Sequence, residues 1–540
     1  MTSSLVTLSD HDVLSAIKKY GSQNGAARAL QIPKSSFKDR VARIKRFQTV
    51  RAPQPVVHIA PKKGVKTYIL SSAQGGTEVA SNFLDNLEAY AKWHNAEILI
   101  SGYTYNKRLF ESHSKDTEVF HPRVEPYLVD RQQNIGPSLI FCANMNTLPT
   151  AEDPLSGFET YTRDKWGVFP HPRISLKSVP VMQSSPPKQV MTTGSVTLPN
   201  YVQKKAGIKA EFHHVIGAVI VEIDSDGDTF CRHLIAASDG SFQDLDLIVQ
   251  GGRVERFSAV EAITWGDVHA ERLDPDVAMG AWGLTPDLRF VPNAYDPRIV
   301  PDVMVDALEP KYQFFHDVLD FYRRNHHNTK DPHHLFAMWA RGTESVKQEI
   351  MRVATFLVHT ERPFSQSYVV DSNHDRALTR WLKEADYRKD PANARFFLDC
   401  QAALYRAIEE GEEGYLPIEG AVRSIGLDMP TVNFLHRTTS FKICPAAGGG
   451  IECAMHGDQG ANGAKGNVYS FSKMGSKANT ADKHGAMIQE GIYQAGHSCL
   501  RDMGYNRGGL TSWSPSHIVT YPNGKRTIVT MVGKKWRAQR

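Results

Sequence analysis

The sequence has no apolar run of membrane-spanning length. A helix needs about 20 consecutive apolar residues to cross a membrane, and none of the 540 residues lie in such a run. The first residues, Met1 to Leu5, also lack the basic start and apolar core of a signal peptide. We therefore expect a chain with no membrane partner that works in the cytoplasm.

Cysteine is scarce, and neither positive nor negative charge dominates. The six cysteines make no CxxC pair and no dense framework, which is typical of a reduced, intracellular protein. Hydrophobic residues are 41% and charged residues 22% of the chain, as in ordinary globular proteins. The net charge of +5 permits a polyanionic partner without requiring one.

The length exceeds that of one ordinary domain, so about two or three are expected. A helical pattern fills residues 1–48, and a basic, proline-containing linker follows at 49–66. Residues 67–256 begin with a β-α-β pattern and continue as a β-rich accessory region, either a separate unit or part of the core sheet. Residues 257–540 carry the motifs that suggest chemistry.

The N-terminal stretch NGAARALQIPKSSFKDRV, from Asn24 to Val41, joins two short helical patterns through the turn at Pro33. It resembles the helix-turn-helix of bacterial and phage DNA-binding proteins, in which the helix after the turn enters the major groove. The resemblance implies DNA contacts from Ser35, Ser36, Lys38 and Arg40, with phosphate contacts from Lys34 and Arg43. The alternative interpretation is a helical module that docks a protein partner.

An Asp-x-His pair, Asp267 and His269, follows the apolar run from Phe257 to Trp265. Such a run predicts a buried strand, and strand carboxyl ends are where open α/β sheets bind ligands. A carboxylate and an imidazole suit Mn, Fe or Zn better than Ca or Mg. The pair therefore suggests one side of a transition-metal site.

Further groups of the same chemistry follow in order. They are His316-Asp317-Val318-Leu319-Asp320, Asp371-Ser372-Asn373-His374-Asp375, Cys453-Ala454-Met455-His456 and Gly496-His497-Ser498-Cys499. This ordered set resembles the calcineurin-like metallophosphoesterase superfamily over roughly the C-terminal half. The resemblance implies an α/β fold, the αββα sandwich of that superfamily, behind a small all-α helix-turn-helix domain.

The resemblance also implies roles for single residues. Asp267 and His269 would bind a first metal, Asp317 would bridge two metals, and the second metal's ligands would be Asn373, His456 and His497. His374 would be the catalytic acid/base, oriented by the catalytic partner Asp375. Cys499 stands where the pattern has a final histidine, so either its thiolate binds the first metal or water takes that place.

The implied cofactors are two divalent metal ions, with Mn2+ preferred over Zn2+, Fe2+ or Mg2+. Together these features predict a hydrolase of phosphoester bonds, in the first place a deoxyribonuclease that uses a metal-bound hydroxide and is delivered to DNA by its N-terminal domain. The alternatives are a phosphomonoesterase or protein phosphatase, and a DNA-binding protein with a degenerate catalytic half. The domain pairing loosely resembles phage-encoded DNA-degrading or DNA-transfer proteins, and self-association into a homo-oligomer is compatible with it.

Two helices are predicted near these motifs. Residues from Ala307 to Arg324 show apolar side chains at helical spacing, and this would place Asp317 within a helix or at its start. Residues from Ala481 to Tyr493 are also predicted to form a helix, leading to His497. Antiparallel hairpins are predicted around the acidic turn at Asp224–Asp228 and near the C-terminus.

Overall fold

The computed structural model describes residues 10–34, 37–38, 41, 64–105, 120–257, 259–289 and 302–538. The chain is a mixed α/β protein with several sheets. The α-helices of the described residues are α1 Asp10–Tyr20, α2 Gln23–Ala29, α3 Ser81–His94, α4 Lys205–Phe212, α5 Pro275–Trp282, α6 Met304–Leu308, α7 Pro332–Arg341, α8 Val346–Thr360, α9 Arg376–Glu384, α10 Ala394–Glu409, α11 Pro417–Arg423 and α12 Val468–Phe471. None of them has the length and apolarity that crossing a membrane requires.

The strands fall into two sequence blocks. The first block is β1 Lys66–Gln74, β2 Glu97–Tyr103, β3 Leu128–Val129, β4 Gln133–Ile135, β5 Leu139–Phe141, β6 Trp166–Phe169, β7 Leu176–Val179, β8 Val181–Met182, β9 Lys188–Thr192, β10 Gly217–Ile223, β11 Thr229–Ile235, β12 Phe242–Asp244, β13 Leu247–Gln250 and β14 Arg253–Arg256. The second is β15 Ala262–Thr264, β16 Tyr312–His316, β17 Gln366–Val370, β18 Val432–Leu435, β19 Lys442–Ile443, β20 Ile451–Glu452, β21 Lys477–Thr480, β22 Met487–Gln489, β23 Ile492–Gln494, β24 Leu510–Thr511, β25 Ser516–Thr520 and β26 Arg526–Thr530.

A six-stranded sheet with the order β18-β17-β16-β15-β25-β26 lies at the centre of the C-terminal half. Strands β15 to β18 are parallel, whereas β25 and β26 are antiparallel. Parallel strands must be connected by crossovers, and α8 and its neighbours supply them. The arrangement sends the loops after β15, β16 and β17 to the same edge of the sheet.

The side chains of β16 show why this sheet is buried on both faces. Tyr312 and Phe314 point into a core shared with residues of β19 and β20, whereas Phe315 joins a second core that contains α8 and α9. Successive side chains of a strand point to opposite faces, so the aromatic run serves both cores. The central sheet therefore lies between a helical layer and a second sheet.

The second sheet has ten strands, in the order β19-β20-β21-β23-β22-β7-β9-β6-β5-β4. It joins strands from both sides of residue 257, so the accessory region and the C-terminal half share one sheet. A five-stranded sheet, β11-β10-β1-β2-β3, packs against it through a common core. The remaining described strands make a three-stranded and a two-stranded sheet.

The β-α-β unit predicted at the start of the accessory region is confirmed. Strands β1 and β2 are parallel and joined by α3. The two predicted hairpins are also confirmed, as β10 with β11 and β25 with β26. In the first hairpin turn, Asp224 accepts backbone hydrogen bonds from Asp226 and Asp228, and the ammonium group of Lys535 lies within 2.8 Å of all three carboxylates.

The two predictions of helices near the motifs are wrong. Residues 312–316 form a strand that pairs in parallel with β15 and β17. Its Gln313 side chain is satisfied inside the core, donating to Thr360 O and accepting from the Trp265 indole. Residues 481–493 instead contain the antiparallel strands β22 and β23. Glu490 and Gly491 both have positive φ, at 46° and 89°, and form the tight turn between them.

The N-terminal unit contains α1 and α2 around a small core that includes Val13, Ala26 and Phe37. Gly21 follows α1 with φ 68°, and the Ser22 side chain caps α2 by accepting from Gly25 N.

Of the residues predicted to contact DNA, Lys34 and Lys38 are exposed. Ser35, Ser36, Arg40 and Arg43 lie outside the described residues, and the helix-turn-helix stays a prediction.

The helical layer gives a stability test. Leu357 of α8 is fully buried, so Leu357→Ala removes packed atoms and leaves a cavity, which costs about 2–5 kcal/mol. Leu398 of α10 is 43% exposed, and Leu398→Ala is expected to change stability by no more than about 0.5 kcal/mol. Urea unfolding of both variants measures the difference, and equal midpoints would contradict this packing.

Candidate functional site

Three parallel strands bring their loops together at one edge of the central sheet. Asp267 and His269 follow β15, Asp317 follows β16, and Asn373 and His374 follow β17. This is the edge where open α/β sheets place their ligand sites. The backbone fixes the geometry, since His269 N donates to Asp317 O at 2.7 Å and both residues hold positive φ, at 44° and 46°.

The second sheet adds loops from the opposite side. His456 follows β20, Asp482 and His484 follow β21, and His497 follows β23. The loop of His497 lies directly on the loop of Asp267, because Asp267 N donates to Gly496 O at 3.1 Å. A Cβ atom on Gly266 would lie 2.6 Å from the Gly496 carbonyl carbon, so only glycine permits this approach.

The first cluster of side chains surrounds His456, which is buried. Its Nε2 lies 2.9 Å from Asn373 Oδ1, 3.4 Å from Asp317 Oδ1 and 3.7 Å from Asp482 Oδ1. Three oxygen atoms therefore converge on one imidazole nitrogen.

The second cluster surrounds His484, which is also buried. Its Nε2 lies 3.2 Å from Asp267 Oδ2 and 3.3 Å from His269 Nε2. The second carboxylate oxygen of Asp317 lies 3.7 Å from the same His269 nitrogen. Asp317 thus turns one oxygen toward each cluster.

Both clusters fit divalent metal ions. Ligands bonded to one ion at about 2.0–2.1 Å lie about 3.0–3.4 Å apart, and the distances within the two clusters range from 2.9 to 3.7 Å. Asp267 Oδ2 and Asp317 Oδ1 are buried and accept no hydrogen bond from the described residues. Buried carboxylates are normally paired or coordinate a metal, so the donor set is incomplete without cations.

The pKa values show how strongly these groups interact. Burial and the neighbouring Asp317 carboxylate raise the pKa of Asp267 well above its usual range. Burial lowers the pKa of His456, but Asp317, Asp267 and Asp482 outweigh this effect and raise it to about 10. In the metal-free protein, a proton on His456 thus supplies the positive charge that the carboxylates require.

Cys499 belongs to the second cluster. Its sulfur and ring nitrogens of His269 and His484 all lie within 4.8 Å of one another. Burial, followed by the nearby Asp267 and Asp320 carboxylates, raises the pKa of the thiol well above its ordinary value. The thiol therefore keeps its proton unless a metal ion displaces it.

Among the described residues, no hydrogen bond or ion pair joins His497, a predicted metal ligand, to the cluster around His456. The Nδ1 atom of His497 lies 2.8 Å from Cys499 O, and its ring centroid is 6.3 Å from that of His484. Burial lowers the pKa of His497 to about 4, so this imidazole is neutral. Asp482 reaches the cluster around His456 instead.

His374 lies at the mouth of the site. Asp375, predicted to orient it, has one carboxylate oxygen engaged elsewhere, because its Oδ1 accepts a hydrogen bond from Leu319 N at 3.0 Å. Asp375 stands at the start of α9, and this position turns its side chain into the loop after β16. Asp320 lies beside His374, since its backbone oxygen is 3.3 Å and its Oδ1 3.7 Å from His374 Nδ1.

Asp320, Asp482 and His484 carry no predicted role. Asp320 Oδ1 lies 3.2 Å from His269 Nδ1, in a position that orients a metal-binding imidazole through its other nitrogen. The sequence holds a signal for the other two, because Asp482-Lys483-His484 is a second Asp-x-His pair directly after a strand. Because residues 481–493 are predicted to form a helix, this second Asp-x-His pair is not recognised as a strand-end motif.

The fold and the site define a mixed α/β protein with a buried histidine–carboxylate centre between two sheets. Comparison with known proteins finds a relative, Protein A1 of Escherichia phage T5, to which the chain is 38% identical over 483 residues. The aligned region covers 88% of this chain and 83% of that protein. The chain therefore belongs to the family of phage T5 Protein A1, and this relationship supports a phage origin. No protein-family model matches the chain, and no solved structure matches it significantly.

The incomplete donor set predicts stabilisation by metal. We expect Mn2+ at a hundred times its dissociation constant to raise the free energy of unfolding by about 2.7 kcal/mol over the chelated protein. Asp317→Asn should lose most of this gain because Asp317 faces both clusters. Thermal unfolding measures it, with the exposed Asp399→Asn on α10 as the control that keeps the gain. An equal gain in Asp317→Asn would contradict the assignment.

Proposed function

We propose that the protein is a metal-dependent phosphodiesterase that hydrolyses DNA. The observation that carries the proposal is the position of Asp317, whose two carboxylate oxygens face two separate clusters of buried nitrogen and oxygen atoms. A carboxylate shared in this way is suited to bridging two divalent cations. The order of the motifs, which resembles that of metallophosphoesterases, supports the same reaction class.

The two clusters would hold two divalent ions, of which Mn2+ suits the mixed donors best. Asn373, His456, Asp482 and one oxygen of Asp317 would form one site, and Asp267, His269, His484 and the other oxygen of Asp317 the second. When bound, such ions make water a nucleophile near neutral pH and neutralise charge on a phosphoester.

His374 is the group placed to handle the leaving oxygen. Burial lowers the pKa of His374, but the carboxylates of Asp317 and Asp320 outweigh burial and raise it. The two carboxylates therefore favour the protonated form of the imidazole. With Nδ1 beside Asp320 O, Nε2 is the atom that donates this proton to the leaving oxygen or to the phosphoryl group.

The entrance to the site suits a phosphodiester anion. A cavity of about 460 Å³ is lined by Asp317, Asn373, His374 and His484 from the site and by Lys465, Lys483 and Tyr505 around its mouth. Lys465 is exposed, and Lys483 pairs with Asp482. The ammonium group of Lys465 attracts phosphate, whereas Lys483 also balances the carboxylate of Asp482, which lines the cavity together with Asp458. Tyr505, 65% exposed, offers a face for a base.

The nuclease test uses the full chain and linear or circular DNA with Mn2+, Mg2+, Zn2+ or chelator. We expect metal-dependent cleavage, a loss of about 100- to 10,000-fold in His374→Ala, and background activity in Asp317→Asn. The control is His359→Ala at the end of α8, away from the site loops, which should cleave like the wild type.

Absence of cleavage with every metal would overturn the proposal. Rapid hydrolysis of an aryl phosphomonoester in that case would identify a phosphomonoesterase. Bound DNA without hydrolysis of either substrate would identify a binding protein with a degenerate catalytic half.

We also propose that the N-terminal unit delivers the enzyme to duplex DNA, and the exposed Lys34 and Lys38 support this role. The double variant Lys34→Ala/Lys38→Ala should weaken duplex binding and reduce the slope of log K against log salt by about 0.9 for each phosphate that the variant no longer neutralises. Lys18→Ala/Lys19→Ala, two exposed lysines of α1, is the matched control. Equal slopes in the two double variants would contradict the assignment.

A further inference from the structure

The site cavity opens into a continuous groove along α9. Asn373 and His374 line both the site cavity and a neighbouring cavity of about 510 Å³. His326 and Arg380 then line both this second cavity and a third of about 1030 Å³. We name the second and third cavities together the α9 groove.

The part of the α9 groove next to the site is basic. Arg376, Arg380 and Lys383 are exposed and lie on one face of α9, spaced four and three residues apart. Exposed His326 and His327 line the opposite wall. The acidic residue that lines this cavity, Glu384, lies on α9 itself and pairs with Arg380 at 3.0 Å. With three cationic side chains against this one carboxylate, the lining keeps a net positive charge that favours phosphates.

The far part of the α9 groove offers aromatic faces. Trp339 and Tyr387 line it and are 64% and 37% exposed. Phe336, 63% exposed, lies beside Trp339 with the two rings tilted and their centroids 5.6 Å apart. Large exposed aromatic side chains that cluster together mark a binding surface.

Charge beside the site and aromatic faces beyond it match one kind of ligand. A single strand of nucleic acid follows a basic groove with its backbone and stacks its unpaired bases on aromatic rings. In a duplex the base faces are already stacked on one another, so Trp339 and Tyr387 would find no free face. The arrangement therefore distinguishes a single strand from a duplex.

We propose that the α9 groove holds a single DNA strand, with phosphates against Arg376, Arg380 and Lys383 and bases on Trp339 and Tyr387. The strand leads past His374 to the metal-binding clusters, so the preferred substrate is single-stranded DNA or a duplex end that has opened. This inference rests on the proposed nuclease function, which it extends to a substrate class.

The test measures binding rather than cleavage, so that it stands apart from the nuclease assay. Fluorescence anisotropy of the full chain in chelator compares an oligothymidylate of about 20 nucleotides, an abasic strand of equal length and a duplex. Trp339→Ala should weaken oligothymidylate binding about 5- to 150-fold and leave abasic-strand binding unchanged. Arg380→Glu should weaken binding of both single strands.

Two matched controls accompany these variants. Phe212→Ala removes an aromatic residue of α4 that is 83% exposed, and Arg395→Glu breaks an exposed i,i+4 pair of α10 like that of Arg380. Both controls should bind the single strands like the wild type. The Lys34→Ala/Lys38→Ala variant separates duplex binding by the N-terminal unit from strand binding by the groove.

The proposal is overturned if Trp339→Ala and Arg380→Glu bind oligothymidylate like their controls, which is the result expected of a groove that receives a protein segment. It is also overturned if Trp339→Ala loses abasic and oligothymidylate binding equally, since stacking would then play no part. Loss of cleavage without loss of these binding differences would instead count against the nuclease function alone.

Discussion

The concentration of buried negative charge around Asp317 is the constraint on which the site depends. Asp267 and Asp317 are almost fully buried and lie in one site. Removing a carboxylate from water costs several kcal/mol unless a cation or hydrogen bonds compensate. The protein surrounds the pair with His269, His456 and His484, whose nitrogens are good metal ligands. Such a centre destabilises the protein without cations and stabilises it once cations bind.

Side chains from outside the site hold the Asp317 loop in place. Glu349 of α8 is fully buried and accepts a hydrogen bond from Tyr322 N at 2.8 Å. Arg323 pairs with Glu271 at 2.6 Å and thereby ties the loop after β16 to the loop after β15. Asp375 anchors the same loop at Leu319 N. The helical layer therefore fixes the loop of Asp317 through hydrogen bonds as well as through packing.

The sequence reveals the loops of the central sheet better than those of the second sheet. Asp267, Asp317 and His374 follow apolar runs, and the parallel order of those strands then brings them together. The places of Asp482 and His484 depend on which strands of the ten-stranded sheet pair, and the local sequence of residues 481–493, which predicts a helix, does not reveal this long-range pairing. Asp375 shows a second limit, because sequence adjacency to His374 does not decide which way a helix-terminal side chain turns.

The two clusters differ in chemistry, and the second sheet is the reason. Around His456 the partners are oxygen atoms of Asn373, Asp317 and Asp482, which suit harder ions such as Mn2+. Around His484 the set includes His269 and lies beside the Cys499 thiol, so it is richer in nitrogen and sulfur donors. Since sulfur ligands favour softer ions such as Zn2+, the two clusters would differ in the divalent ion that each prefers, although one carboxylate, Asp317, has an oxygen near each of them.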